Sequence, residues 1–135
     1  MRQINNLVVH CSATPHNTSI ESIRRYWREV LGWKNPGYHC IITATGEAIE
    51  LLSADKVANG VGGHNANSMH VCYIGGQHTD DRTPQQEEAL LKVLTEWKKI
   101  WPEARILGHR DFLTPGTPQW KDCPQFDAIK EYSHL

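Results

Sequence analysis

The stretch GHRDFLTPGTPQWKDCP, residues 108–124, contains two side chains of the kind that bind zinc. His109 follows an apolar run, residues 104–107, that has the pattern of a short buried strand. Cys123 lies beyond a loop rich in proline and glycine and is followed by Pro124. Because a ligand at the end of a strand is held by the sheet, we expect His109 to have a fixed position to which the loop brings Cys123.

His10 is a third candidate ligand, at the end of the apolar run at residues 6–10. Two histidines and one thiolate leave the fourth position of a tetrahedral zinc to water, which is the arrangement of a catalytic zinc site. Taken singly, each residue has an ordinary explanation, since a histidine at a strand end is more often simply hydrogen-bonded and a single cysteine is more often a small buried hydrophobe. Spacing alone therefore does not establish that the three side chains meet.

Length and composition exclude several classes of protein. The 135 residues fit one domain, 1–135, with a proper core. A formal charge of −1 is not the strongly basic balance of a nucleic-acid-binding protein. No apolar run approaches the roughly 20 residues that span a bilayer, and the apolar part of the N-terminus is too short for a secretory signal. We expect a monomer made in the cytoplasm, with no nucleic-acid or membrane partner.

The four cysteines show neither a CxxC pair nor dense spacing, so we expect reduced thiols and no disulfide framework. Two of them, Cys11 and Cys72, fall within apolar strands and are expected to be buried. Cys11 and Cys40 are also the candidates for a fourth protein ligand, which would make the metal site structural and closed to water.

Hydrophobic periodicity predicts strands and helices that alternate along the chain. Thr18 and Glu21 have the spacing of a capping box at the start of the first helix, Gly32 suits its end, and Thr83 is the expected N-cap of the long helix. The fold class is α/β, with a central mixed β-sheet flanked by helices. The predicted strands cover residues 6–11, 38–43, 48–52, 69–74 and 104–107, and the predicted helices cover 19–31, 84–101 and 126–132.

Five segments of the chain resemble, in order, the motifs of the phage-lysozyme-type N-acetylmuramoyl-L-alanine amidases, zinc enzymes that share a fold with the peptidoglycan recognition proteins. Each motif is weak alone, but five in the family's order are specific. The segments are VVHCSAT (8–14), GYHCII (37–42), GGHNANSMHVCYIGG (62–76), GHRD (108–111) and KDCPQFD (121–127).

The resemblance implies a role for particular residues. It implies Zn²⁺ as cofactor, with His10, His109 and Cys123 as ligands, and Tyr38 and Lys121 as catalytic residues. One residue departs from the pattern: His70 stands where the phage relatives usually have glycine, which we expect to affect local strand packing and not the metal site. The candidate substrate-binding residues are His64, Asn65, Asn67 and Trp33.

The implied reaction is hydrolysis of the amide between the lactyl group of N-acetylmuramic acid and L-alanine in peptidoglycan. Zinc lowers the pKa of its bound water to about 7, and a positive or hydrogen-bonding group such as Lys121 would stabilise the oxyanion. The roles of Tyr38 and Lys121 are interchangeable at this point. The enzyme would be a phage or prophage endolysin that reaches the cell wall through a phage-type hole in the membrane, or an antibacterial or autolytic enzyme. The alternative is a non-catalytic muropeptide-binding module.

Overall fold

The computed structural model describes residues 2–135 and contains a five-stranded mixed sheet. The strand order is β3-β2-β4-β1-β5; only β3 runs antiparallel to its neighbour. The predicted α/β fold with a central mixed sheet is therefore confirmed. The strands are β1 Asn6–Cys11, β2 Cys40–Ile42, β3 Ala48–Glu50, β4 Ser68–Tyr73 and β5 Arg105–Gly108.

Helices lie on both sides of the sheet. The first, α1 (Ile20–Arg25), continues as a π-helical segment, Tyr26–Val30, and ends at Gly32, whose φ of +70° suits glycine. The second, α2 (Pro84–Ile100), starts at the predicted N-cap Thr83, which also forms a capping box in which Thr83 and Gln86 bond each other's backbone. The third, α3, spans Ala128–Glu131. No helix within residues 2–135 is long and apolar enough to cross a membrane.

Alternate residues of the strands face two apolar layers, as the strand period requires. One layer contains Leu7, Val9, Val71 and Tyr73 and packs against Leu90 and Leu94 of α2. The other layer contains Ile41, Cys72 and Ile74, against which Ile20, Ile23 and Tyr38 pack. All four cysteines are free and buried, which confirms the predicted burial of Cys11 and Cys72.

Some predicted boundaries are wrong. The cap of α1 is Ser19 and not Thr18: the N–H of Ser22 donates to Ser19 Oγ at 3.1 Å, whereas Thr18 N–H bonds to the Pro15 carbonyl in the preceding turn. The predicted strand 38–43 is limited to residues 40–42. The last helix is shorter than predicted because the side chain of Asp127 caps it.

Candidate metal centre and cleft

Three predicted ligands come together at one edge of the sheet. One ligand atom each of His10, His109 and Cys123 lie within 4.8 Å of one another. His10 belongs to β1, and His109 begins the 3₁₀ turn His109–Phe112 directly after β5, the parallel neighbour of β1. The side chains that end two parallel neighbouring strands emerge at the same sheet edge, so the fold itself brings the two histidines together.

The segment carrying Cys123 is fastened to this edge by backbone contacts. The N–H of Arg110 donates to the Cys123 carbonyl at 2.8 Å, and the Tyr73 hydroxyl donates to the Pro124 carbonyl at 2.6 Å. Gly108 permits this approach, since a Cβ there would lie 2.7 Å from Cδ of Pro124. These bonds therefore hold the cysteine segment against β4 and against the 3₁₀ turn that follows β5.

The donor set fits a zinc ion. Tetrahedral zinc, with bonds of about 2.0–2.3 Å, places its ligand atoms about 3.3–3.7 Å apart. Nδ1 of His10 lies 4.0 Å from Sγ of Cys123, close to that separation. Sγ also accepts the N–H of Cys11 at 3.1 Å, which favours the thiolate, but the hydrogen-bonded thiol of Cys11 and burial raise the pKa of Cys123 well above its ordinary value. Neither Cys11 nor Cys40 belongs to this group, so the described residues offer three ligands and not four.

Electrostatics keep the histidines neutral and able to donate a lone pair. Burial, followed by the charge of Lys121, lowers the pKa of His109 to about 4. Burial holds the pKa of His10 well below its ordinary value, and neighbouring His70 and His109 lower it further. Burial also lowers the pKa of His70 to about 3. All three rings are therefore neutral at physiological pH.

The three ligands lie in a cleft of about 700 Å³ that Tyr38 and Lys121 also line. Tyr38 is partly buried, and its ring centroid is 4.9 Å from that of His10. Burial of its hydroxyl, together with nearby cysteines, raises the pKa of Tyr38 well above its ordinary value, so the hydroxyl stays a hydrogen-bond donor. Lys121 is exposed at the rim. The cleft thus places two donors near three metal-type ligands.

The proposed substrate-binding residues are not all in this cleft. Trp33 lines it and stacks on Trp27, with ring centroids 6.4 Å apart. His64 lies outside the lining and packs on Phe112 of the 3₁₀ turn, at 4.8 Å between centroids.

The two asparagines of the same loop also lie outside the lining. Asn65 accepts the N–H of Val61 at 2.8 Å. Asn67 donates to the Gln3 carbonyl at 3.0 Å. The amide of Asn65 therefore stabilises the loop from within, and that of Asn67 fastens the loop to the N-terminal segment.

His70 is a buried residue next to the ligands, and the sequence alone predicts that it affects only strand packing. Nδ1 of His70 lies 2.9 Å from Nε2 of His10. The available signal was an unexpected histidine in a buried strand, but only the pairing register of β1 with β4 shows that it reaches His10.

Fold and site together define a candidate metal centre of the kind found in hydrolases, with two histidines and a cysteine in an open cleft at the edge of a mixed sheet. The sequence profile of N-acetylmuramoyl-L-alanine amidase matches residues 1–126. The chain belongs to this amidase family, and this makes it a peptidoglycan amidase by class.

Curated relatives agree with this assignment, and solved structures agree with the fold. The chain is 36% identical over 133 residues to the endolysin of Enterobacteria phage K11, covering 93% of this chain and 83% of the relative. It is 32% identical over 130 residues to the endolysin of Escherichia phage T7, covering 90% and 80% of the two chains. The fold is similar to that of the Ph2119 endolysin from a Thermus scotoductus bacteriophage, with TM-score 0.84, 22% identity and coverage of 99% and 85%. It is also similar to bumblebee PGRP-SA, with TM-score 0.81, 18% identity and coverage of 100% and 83%.

Proposed function

We propose that this protein is a zinc-dependent endolysin that hydrolyses the amide between N-acetylmuramic acid and L-alanine of peptidoglycan. The observation that carries the proposal is the convergence of His10, His109 and Cys123 in one open cleft that also contains Tyr38 and Lys121. A catalytic site needs a free coordination position, and three protein ligands leave one. Its endolysin relatives support the cell wall as the place of action.

A zinc ion held by these ligands would supply a water nucleophile at neutral pH and polarise the substrate carbonyl. The protein's own residues would do the rest. The amide carbonyl gains negative charge as it is attacked, and the ammonium of Lys121 at the cleft rim is the cation available to stabilise it. The hydroxyl of Tyr38 remains protonated, so it can donate a hydrogen bond to the oxyanion or to the attacking water.

The wall of the cleft provides a surface for the rest of the substrate. Trp33, stacked on Trp27, presents an aromatic face next to the ligands. Tyr26 and Leu31, which are 51% and 41% exposed, continue this wall. We assign the wall to the glycan or the stem peptide, because aromatic side chains bury large apolar areas at low entropic cost.

The test is to digest purified peptidoglycan with zinc-loaded and chelator-treated protein. Mass spectrometry should find stem peptides with a free L-alanine amino group, released only with zinc, and no new reducing sugar ends. Elemental analysis should find about one zinc per chain, lost in Cys123→Ala but retained in Cys40→Ala, a matched control because Cys40 is also buried yet lies outside the ligand group. Tight binding of muropeptides without any release would instead identify a recognition module.

A further inference from the structure

His70 lies beside the metal ligands but is not one of them. It belongs to β4, which pairs with β1, and its exposed fraction is 0%. Its Nδ1 lies at hydrogen-bond distance, 2.9 Å, from Nε2 of His10. Burying a polar ring is unfavourable unless its polar atoms find partners, so this contact needs an explanation beyond packing.

The two ring nitrogens of His10 face different neighbours. Nδ1 faces Cys123, with 4.0 Å to Sγ, whereas Nε2 faces His70. A neutral imidazole carries one proton, so a ring that gives the Nδ1 lone pair to a metal must carry its proton on Nε2. That N–H then donates to Nδ1 of His70, which must itself be unprotonated in order to accept.

The ring of His70 is held so that it can accept. It stacks on His39 with an interplanar angle of 1° and 6.0 Å between centroids. The backbone N–H of His70 donates to Nδ1 of His39 at 3.1 Å, so the neighbouring His39 ring carries its proton on Nε2 and donates it to the Lys56 carbonyl at 2.8 Å. Gly60 also borders the ring so closely that a Cβ there would overlap it. The ring therefore has little freedom to turn away from His10.

We propose that His70 is a positioning residue for zinc, whose Nδ1 accepts a hydrogen bond from Nε2–H of His10 and so fixes the His10 tautomer that binds the metal through Nδ1. The proposal rests on the zinc site of the proposed function. Metal-binding histidines generally donate their second N–H to a carboxylate, a carbonyl or water, and here a neutral imidazole takes that place. Within residues 2–135, Nε2 of His70 has no hydrogen-bond partner, so its tautomer is set by His10 and not by a bond of its own.

The direct test uses the zinc-loaded protein of unchanged sequence. Long-range ¹H–¹⁵N correlation spectra of the labelled histidines distinguish protonated, unprotonated and metal-bound ring nitrogens. We expect metal on Nδ1 and a proton on Nε2 of His10, together with an unprotonated Nδ1 and a protonated Nε2 of His70. Metal on Nε2 of His10, or a proton on Nδ1 of His70, would overturn the proposal.

Zinc affinity provides a second test, by competition with a chelating dye in the absence of substrate. His70→Leu keeps an apolar side chain in place and removes the acceptor, so we expect zinc to bind about 10- to 100-fold more weakly. His70→Asn offers a side-chain oxygen as acceptor and should lose clearly less. Val8→Ala is the packing control, because Val8 is fully buried and pairs with His70 in the sheet but makes no bond to His10.

Unchanged zinc affinity in a folded His70→Leu variant would refute the proposal, and if that variant does not fold, the spectra of the unchanged protein decide. Neither readout needs substrate, so the two proposals fail separately. A protein that shows the expected tautomers but releases no stem peptide would refute the proposed amidase activity and leave the role of His70 in place. If the protein releases stem peptides but its zinc affinity is unchanged by His70→Leu, the amidase proposal stands and the proposed role of His70 is refuted.

Discussion

Replacing Tyr73 by Phe should weaken the fold, because the hydroxyl is a buried tie between β4 and the segment that carries Cys123. It donates to the Pro124 carbonyl at 2.6 Å, and Tyr73 is 0% exposed. Phe fills the same space but leaves that carbonyl without its donor, which costs about 1–3 kcal/mol. For a chain of this size, 1 kcal/mol corresponds to about 3–4 °C in Tm, so we expect the metal-free protein to melt about 3–12 °C lower.

Zinc binding shows whether the same tie matters to the site. Pro124 directly follows Cys123, so loss of the hydrogen bond to the Pro124 carbonyl should make the position of the Cys123 ligand less well fixed. If about 1.4 kcal/mol of the lost stability reduces the free energy of zinc binding, the Kd for zinc rises about tenfold. Tyr132→Phe is the control, since its hydroxyl is also buried but lies 3.5 Å from Arg82, away from this loop. A Tyr73→Phe protein with unchanged Tm and unchanged zinc affinity would refute the reasoning. A lower Tm with unchanged zinc affinity would show that this hydrogen bond stabilises the fold but does not affect the metal site.

Four further substitutions test the site and its support. Lys121→Ala and Tyr38→Phe should each lower kcat by about 100- to 1,000-fold at unchanged zinc content, the usual cost of one oxyanion donor, and near-normal hydrolysis of peptidoglycan would exclude their proposed roles. Gly108→Ala places a Cβ 2.7 Å from the proline after the ligand cysteine, so it should destabilise the fold by about 1–3 kcal/mol and lower the zinc content found by elemental analysis. Arg82→Met removes a 3% exposed guanidinium that pairs with Asp80 at 2.9 Å, at a cost of roughly 2 kcal/mol in urea unfolding after allowance for the partial exposure of the carboxylate. Burial raises the pKa of Asp80, but the hydrogen bonds and charge of Arg82 outweigh burial and lower that pKa overall. The stabilisation from the Asp80–Arg82 pair is therefore present above the unfolded pKa of about 3.9 and should vanish as pH falls through the lower folded pKa.

Much of the fold could be predicted because its signals are local. Apolar runs bounded by turn residues predict all five strands, and Thr83-Pro84 predicts the start of α2. The first helix shows the limit of such signals. Thr18 and Ser19 both offer a hydroxyl, and only the backbone path after Pro15 determines that Ser19 caps the helix.

The site was less predictable because its contacts are long-range. The resemblance to amidase motifs predicts His10, His109 and Cys123, and the structure places their ligand atoms together. No local pattern shows that the amide of Asn65 bonds within its own loop and that of Asn67 bonds to Gln3, so that neither lines the cleft. Such contacts depend on how the loop folds back on the N-terminal segment and on its own preceding turn.

The register of the sheet explains why a histidine in β4 can orient a ligand in β1. His10 is opposite Cys72, and Val8 is opposite His70, so His70 is on the same face as His10 but one pleat further from the sheet edge. From there it reaches the ring nitrogen of His10 that faces the interior, whereas Cys123 approaches the other nitrogen from the edge. Substitutions in the loop of Cys123 should therefore change mainly how much zinc is bound. A substitution at His70 should instead weaken zinc binding through the orientation of the His10 ring, because it removes the acceptor for Nε2–H while Nδ1 still faces Cys123.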